Sequence, residues 1–166
     1  MFACGEWVVY GIHGVCKVLD LEMRSVDRKP AHYYVLEPLN QTGDRYYIPT
    51  QNQAATAKLR PILTRAQLDE LLADSQCSSW IADENQRKQL YRTLINNTDP
   101  AELIRIVRML YRQKEELLVS GKKFHLCDEN FLRDAEKLLN TEFSLILNMD
   151  QQEVKEYVRR AIGITD

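Results

Sequence analysis

The sequence predicts an α+β protein with segregated domains, a small N-terminal β-barrel followed by a compact C-terminal α-helical bundle. Residues 6–63 contain short runs rich in β-branched and aromatic residues, separated by turn-forming residues. From Thr64 onward the apolar residues recur with helical spacing behind N-cap signals. With 166 residues, 45% of them hydrophobic, the chain is long enough to bury a core as one ordinary domain or two small ones.

Four runs in the N-terminal part predict strands, namely Trp7–Tyr10, Val15–Val26, 32–39 and 44–49. Four or five short strands joined by tight turns within about sixty residues are typical of an SH3-like or Tudor-like barrel. The first connection contains Gly11 and Gly14, which permit the positive φ angles of a tight turn between paired strands.

Four side chains in the C-terminal part predict helix starts, namely Thr64, Asp99, Asp128 and Asp150. Thr64 is followed three residues later by Gln67, the spacing of a capping box. Asp99 is followed by Pro100, which suits the first helical position. With a further helix over residues 80–95, these signals predict a bundle of four or five helices.

The pattern divides the chain into three parts. We expect residues 1–63 to form the barrel, residues 64–79 a short helix and a linker, and residues 80–166 the helical domain. The linker assignment rests on residues 72–79, which are polar and lack a clear period. The sequence contains no transmembrane run and no secretory signal, so we expect an intracellular, cytoplasmic protein without a membrane partner.

The chemistry-bearing residues argue against an enzyme or a metalloprotein. The cysteines are far apart and form no CxxC pair, so a zinc site is not expected; they are Cys4, Cys16, Cys77 and Cys127. His13 and Cys16 could be read as a reactive pair, but such a nucleophile needs hydrogen-bond contact and a third orienting group. Phosphate-binding loops and hydrolase motifs are absent from the sequence. We predict a non-enzymatic protein without metal or cofactor.

Positive charge is concentrated in one segment of a chain whose net charge is −2. Residues 87–114 contain seven basic residues and two acidic ones. Within this segment Arg105, Arg108 and Arg112 recur at i, i+3 and i+7 and fall within about 60° on a helix. A stripe of one sign fits contact with phosphates, whereas the alternative interpretation is a merely solvated face.

Trp80 is the aromatic residue whose surroundings raise a functional question. Its neighbours are polar, and Arg87 and Tyr91 follow at distances that share a face if one helix spans all three. Burial in the core is the usual place of a tryptophan. An exposed ring beside an arginine can instead wedge against a base step. From these residues alone both interpretations stay open.

The two halves together resemble the CarD/CdnL family of bacterial transcription regulators, and the resemblance covers essentially the full chain. The N-terminal half is similar to the RNA-polymerase-interacting domain of transcription-repair coupling factors through residues 5–10 (GEWVVY), 13–15 (HGV), 17–18 (KV), 33–36 (YYVL), 46–49 (YYIP) and 59–61 (LRP). The C-terminal half matches through Trp80, Arg87, Lys88, the Asp99-led helix with residues 110–112 (LYR), residues 135–139 (AEKLL) and Glu142. Two departures are Gly11, where the family usually has Pro, and Cys16, where it usually has Gly.

The resemblance implies a regulator that binds the RNA polymerase β subunit and holds open the promoter bubble at its upstream edge. It implies polymerase contacts by the barrel, at Arg24, Tyr46 and Tyr47. It also implies contacts of the helical domain with promoter DNA, with Trp80 as a minor-groove wedge and a phosphate contact at Arg87 or Lys88. The stripe of Arg105, Arg108 and Arg112 completes the expected DNA surface. We expect a monomer when free, located at the nucleoid through polymerase; the alternative is a protein–protein adaptor without DNA contact.

Overall fold

The computed structural model describes residues 1–164 of the chain. These residues divide into two compact units, and the second begins at Leu63. The elements of the first unit are β1 (Trp7–Tyr10), β2 (Val15–Val26), β3 (Lys29–Pro38), β4 (Tyr46–Pro49), a short helix α1 (Gln53–Thr56) and β5 (Leu59–Pro61).

The five strands form one antiparallel sheet in the order β4-β3-β2-β1-β5. β4 and β5 therefore lie at its two edges, and within the described residues the sheet stays open instead of closing into a barrel. The predicted fold class, a small strand-rich domain followed by helices, is confirmed; only the closure of the barrel is not.

Two tight connections set the register of the sheet. Between β1 and β2, residues Gly11–His13 form a 3₁₀ turn that is followed by Gly14; Gly11 has φ 46° and Gly14 has φ 71°. This confirms that both glycines supply positive φ there. Between β2 and β3, Asp27 and Arg28 have φ 53° and 62°, the two positive values that a two-residue hairpin turn requires.

The main hydrophobic cluster of the first unit lies on one face of the sheet, whereas Val9, Val15 and Val35 are buried on the other face. Because successive strand residues point to opposite faces, alternate positions of each strand supply this cluster. Its buried members are Val8, Cys16, Val18, Tyr34, Leu36, Ile48 and Leu59. Cys16 thus packs inward together with Val18, as a small apolar side chain does.

The second unit is helical throughout its regular structure. Its elements are α2 (Arg65–Ala73), α3 (Glu84–Asn97), α4 (Pro100–Val119), α5 (Leu126–Leu147) and α6 (Gln151–Ala161). None of the helices in residues 1–164 is long and apolar enough to span a membrane.

Three of the predicted helix starts are confirmed. Thr64 and Gln67 form a capping box before α2. Asp99 caps α4 by accepting a hydrogen bond from the Ala101 N–H at 2.9 Å, and Pro100 occupies the first turn. Asp150 and the third residue of α6 form a second capping box. Each signal is local in sequence, which is why it could be recognised without the structure.

Two predicted helix starts are wrong. α5 begins at Leu126, two residues before Asp128, and Asp128 is a buried residue of its first turn. The helix predicted over residues 80–95 begins only at Glu84, where the Asp83 side chain accepts from the Gln86 N–H. Trp80 therefore precedes α3 and belongs to the irregular segment between α2 and α3.

The core of the helical unit is built around α4, which buries residues on several sides. Leu103, Leu110, Phe131 and Phe143 are among its buried members. α2 belongs to the same core, because Leu68 and Leu72 are buried in it. The end of α2 and the residues after it lie against α4, because Arg108 of α4 donates hydrogen bonds to the carbonyl oxygens of Leu72 and Gln76. This segment determines which arginines of α4 are exposed to solvent.

Candidate functional site

Arg24 and Tyr47 lie together on the outer face of the sheet in the first unit. The Arg24 guanidinium carbon is 3.7 Å from the centre of the Tyr47 ring. The Arg24 Nε also donates to Glu22 Oε2 at 3.0 Å, and the Arg24 side chain is 44% exposed. Two of the three residues expected to contact polymerase are thus in direct contact with each other.

Tyr46 points to the opposite face of β4. It packs against the core of the first unit beside buried Ile48, as alternation along the strand requires. Its ring centre lies 4.5 Å from that of exposed His13 and 6.0 Å from that of Tyr10. Within the described residues β4 pairs only with β3, so its other edge presents unpaired backbone groups.

His13 and Cys16 contact different groups. The Cys16 Sγ lies 3.7 Å from the Gly14 carbonyl oxygen, and burial raises the pKa of this thiol to about 11. The His13 ring stacks on Tyr10 with ring centres 5.0 Å apart. A buried, protonated thiol is a poor nucleophile. Among residues 1–164, no group of three or more His, Cys, Asp or Glu side chains is arranged to hold a metal ion.

In the helical unit, Trp80 lies on the guanidinium of Arg87. The Arg87 guanidinium carbon is 4.3 Å from the centre of the Trp80 ring, a cation–π distance. The Trp80 ring is partly buried at the margin of the helical core. Although no helix spans both residues, the irregular segment folds back and still brings the ring onto α3.

Arg87 itself lies inside the unit. Its Nε donates to Asp128 Oδ1 at 2.9 Å and its Nη2 donates to Asp128 Oδ2 at 3.0 Å. Its Nη1 donates to the carbonyl oxygens of Ile81 and Ala82 at 3.0 and 2.9 Å. The side chains of Arg87 and Asp128 are 2% and 0% exposed. The residue expected to meet phosphate is therefore turned inward, with most of its donors already engaged.

The surroundings of Arg87 favour its charged form. Burial alone would lower the pKa of Arg87, but the hydrogen bonds and the charge of Asp128 raise it. Tyr91 donates its hydroxyl hydrogen to Asp128 Oδ1 at 2.5 Å, and burial followed by this bond raises the pKa of Tyr91. Tyr91 stacks on Phe131 with ring centres 4.1 Å apart. The Asp128 carboxylate thus accepts hydrogen bonds from both the Arg87 guanidinium and the Tyr91 hydroxyl.

Lys88 is the exposed neighbour of Arg87. Its Nζ lies 2.6 Å from Glu84 Oε1, one turn earlier on α3, and the bond to Glu84 raises the pKa of Lys88. Glu84 also faces His125, with 3.9 Å between Oε2 and Nδ1. A solvent-exposed pair of this kind is weak, so Lys88 can exchange Glu84 for another anion.

The stripe on α4 is only partly accessible. Arg108 is 6% exposed and donates to the carbonyl oxygens of Leu72 and Gln76, both at 3.1 Å, and burial lowers its pKa. Arg105 donates to Asp74 Oδ2 at 3.2 Å and is partly exposed. The residues that follow α2 cover this face of α4. Arg112, one turn beyond Arg108, is exposed.

Sequence reasoning missed the role of Asp128. An aspartate ahead of an apolar helical pattern has the same signature whether it caps the helix or points inward. Asp128 is the partner of a buried cation because the fold brings it into contact with Arg87, which lies 41 residues earlier in the chain. No local signal in the sequence distinguishes the two roles.

Both units match protein-family models. Residues 2–63 match the model described as the CarD-like/TRCF RID domain. Residues 69–159 match the model described as the CarD C-terminal domain. A search of curated proteins found no significant match.

Proposed function

The chain belongs to the CarD family of transcription-associated, RNA-polymerase-interacting proteins, and we propose that it stabilises the open promoter complex. In this proposal the first unit binds the polymerase β subunit. The helical unit contacts promoter DNA at the upstream edge of the transcription bubble. The protein acts by binding alone, in keeping with a family of non-catalytic transcription factors.

The polymerase contact is supported by the features of β4 and its neighbour. β4 is an edge strand, and an edge can accept a strand of a partner through main-chain hydrogen bonds. Beside it, the exposed guanidinium of Arg24 lies on the ring of the partly exposed Tyr47, and arginine and tyrosine are residue types that often anchor interfaces. Edge and anchor together fit a partner strand of the β subunit with an acidic or polar side chain facing Arg24.

The DNA contact is carried by one observation, the position of Trp80. The ring lies at the margin of the helical core, outside any helix, and is only partly buried. Apolar side chains inserted at a base step stabilise an unstacked, bent duplex. A ring at the surface with one face held by Arg87 suits this role better than a ring buried on all sides.

The proposed phosphate contacts are the accessible cations, Lys88, Arg105 and Arg112. Arg87 and Arg108 are buried and hydrogen-bonded to protein groups, so we assign them to the structure of the unit. With a net charge of −2, the chain is expected to bind free DNA weakly. Attachment to polymerase would raise the effective concentration of the helical unit at the promoter, and this would compensate for its weak affinity for free DNA.

The decisive experiment compares Trp80→Ala with the wild type in three assays: thermal unfolding, polymerase binding and promoter-complex lifetime. We expect the variant to keep its melting temperature and polymerase binding while the half-life of the promoter complex, measured under competitor challenge, becomes shorter. Ile81→Ala is the matched control, because it truncates the adjacent, partly buried side chain without removing the ring. A half-life equal to that of the wild type would refute the wedge, and a greatly lowered melting temperature would make Trp80 a core residue.

The alternative function is a protein–protein adaptor without DNA contact. It is favoured by the burial of Arg87 and Arg108, which leaves less positive surface than the sequence predicts. Footprinting of a promoter with polymerase, with and without the protein, separates the two functions. An unchanged footprint with retained polymerase binding would support the adaptor.

A further inference from the structure

We propose that Arg87 and Asp128 are positioning residues that fix the orientation of the Trp80 ring for its contact with DNA. The inference deepens the proposed function and rests on it, since it gives the wedge a support inside the protein. Neither residue needs to touch DNA for this role, and both are buried.

Arg87 holds the Trp80 segment at two points. Its guanidinium lies against the face of the ring, at 4.3 Å from the ring centre. The same guanidinium donates through Nη1 to the carbonyl oxygens of Ile81 and Ala82, the two residues that follow Trp80. Ring and adjoining backbone are thus attached to one planar group. This matters because the segment has no helix or strand of its own to fix it.

Asp128 fixes the plane of that group. A carboxylate that accepts two parallel N–H bonds from a guanidinium restricts it to one plane, which a single bond to an ammonium does not. The two bonds here are 2.9 and 3.0 Å long. The carboxylate is itself held by the hydroxyl of Tyr91, whose ring stacks on Phe131. The orientation of Trp80 is therefore set from α5 through α3.

A wedge gains from such support because an ordered ring has less freedom to lose on binding. A ring free to rotate about its side-chain bonds would become ordered only on binding DNA, and the loss of conformational entropy would lower its affinity. Loosening the Arg87–Asp128 pair should accordingly shorten the life of the promoter complex although Trp80 is still present.

The test uses the double variant Arg87→Met with Asp128→Leu in the full chain. Replacing both members of a buried ion pair by apolar side chains of similar size often preserves or increases stability, so this variant is expected to fold. We expect faster and wider motion of the Trp80 ring, measured by time-resolved fluorescence anisotropy in a Trp7→Phe background. We also expect a promoter-complex half-life shortened most of the way to that of Trp80→Ala.

Arg133→Gln with Asp134→Asn is the matched control. It removes an exposed ion pair on α5 and leaves the Arg87–Asp128 pair intact, so the motion of the ring and the half-life should stay as in the wild type. If the double variant does not fold, Arg87→Lys replaces it, since a lysine keeps the charge but cannot make the two-bonded, planar contact. The same loosening and shortening are expected of it.

The outcomes separate this inference from the proposed function. A stable variant with a wild-type half-life, alongside a shortened half-life for Trp80→Ala, would overturn the positioning role and leave the wedge intact. A wild-type half-life for Trp80→Ala itself would refute the wedge. In that case unchanged ring anisotropy in the double variant would independently refute the positioning of Trp80 by the pair.

Discussion

Arg87 on α3 and Asp128 on α5 form a two-bonded ion pair inside the helical unit, with Nε–Oδ1 and Nη2–Oδ2 distances of 2.9 and 3.0 Å. Both side chains are almost entirely excluded from solvent. Each charge is therefore acceptable in the interior only because the other is present, since an isolated buried ion is strongly unfavourable. The pair joins two helices whose contact the sequence pattern does not reveal.

The first prediction follows from removing one charge of this pair. Asp128→Asn leaves the Arg87 guanidinium buried without a counter-charge, so the free energy of unfolding should fall by about 3–5 kcal/mol. The measurement is denaturant unfolding of the full chain followed by circular dichroism at a helical wavelength. Asp134→Asn is the control, because Asp134 is exposed on the same helix and should change stability by less than about 0.5 kcal/mol. Equal effects of the two changes would contradict the role of the buried pair.

The second prediction concerns the surface formed by Arg24 and Tyr47. Arg24→Glu removes the cation from the Tyr47 ring and places a like charge beside Glu22. We expect weaker binding to the isolated β-subunit lobe in a calorimetric titration, with little change in melting temperature because the side chain is exposed. Arg28→Glu makes the same charge change at the exposed turn of the same hairpin and should bind as the wild type. Unchanged affinity of Arg24→Glu would remove Arg24 from the interface.

The third prediction compares two arginines of α4. Arg112→Gln should reduce the slope of log affinity against log salt concentration for duplex DNA by about one, at unchanged melting temperature. Arg108→Gln should leave that slope unchanged but lower stability by about 1–3 kcal/mol, because the carbonyls of Leu72 and Gln76 lose their donors. Fluorescence anisotropy with labelled DNA at several salt concentrations gives both slopes. The reverse pattern would mean that Arg108 turns outward to meet DNA.

The features that the sequence predicts correctly are set by neighbouring residues. Gly11 and Gly14 adopt positive φ because no side chain opposes it, and Thr64 caps α2 because Gln67 lies three residues later. Such signals need no knowledge of distant parts of the chain. The order of β1 to β4 and of α2 to α6 could be read from them, whereas they predict neither α1 nor a particular run for β5.

The features that the sequence does not predict depend on what covers a surface. Arg108 has the helical spacing of an exposed stripe, yet it is buried because the residues after α2 cross that face of α4. Arg87 is buried because a residue 41 positions later supplies a carboxylate. Periodicity reports which side chains share a face of a helix, and it does not report whether another segment lies on that face.

The pKa of Cys16 links the stability of the first unit to pH. Burial raises the pKa of this thiol from 9.0 to about 11 in the folded protein. The folded state therefore keeps the proton between these values while the unfolded state loses it. The contribution of the protonated Cys16 thiol to the free energy of unfolding is therefore fully present below pH 9 and is lost as the pH rises through 11. A shift of two units corresponds to about 3 kcal/mol.

The fourth prediction is that Cys16→Ala removes this part of the pH dependence. Other groups also titrate in this range, Tyr10 among them, so the quantity compared is the change in unfolding free energy between pH 8 and pH 11. We expect the wild type to lose about 2 kcal/mol more than the variant, because the thiol of the folded protein is only half deprotonated at pH 11. The unfolding of the first unit is followed by Trp7 fluorescence in a Trp80→Phe background. Cys4→Ala, at an exposed cysteine of the same unit, should keep the wild-type dependence. If Cys16→Ala and the wild type lose the same stability, the thiolate is tolerated at this position and Cys16 is not a source of the pH dependence.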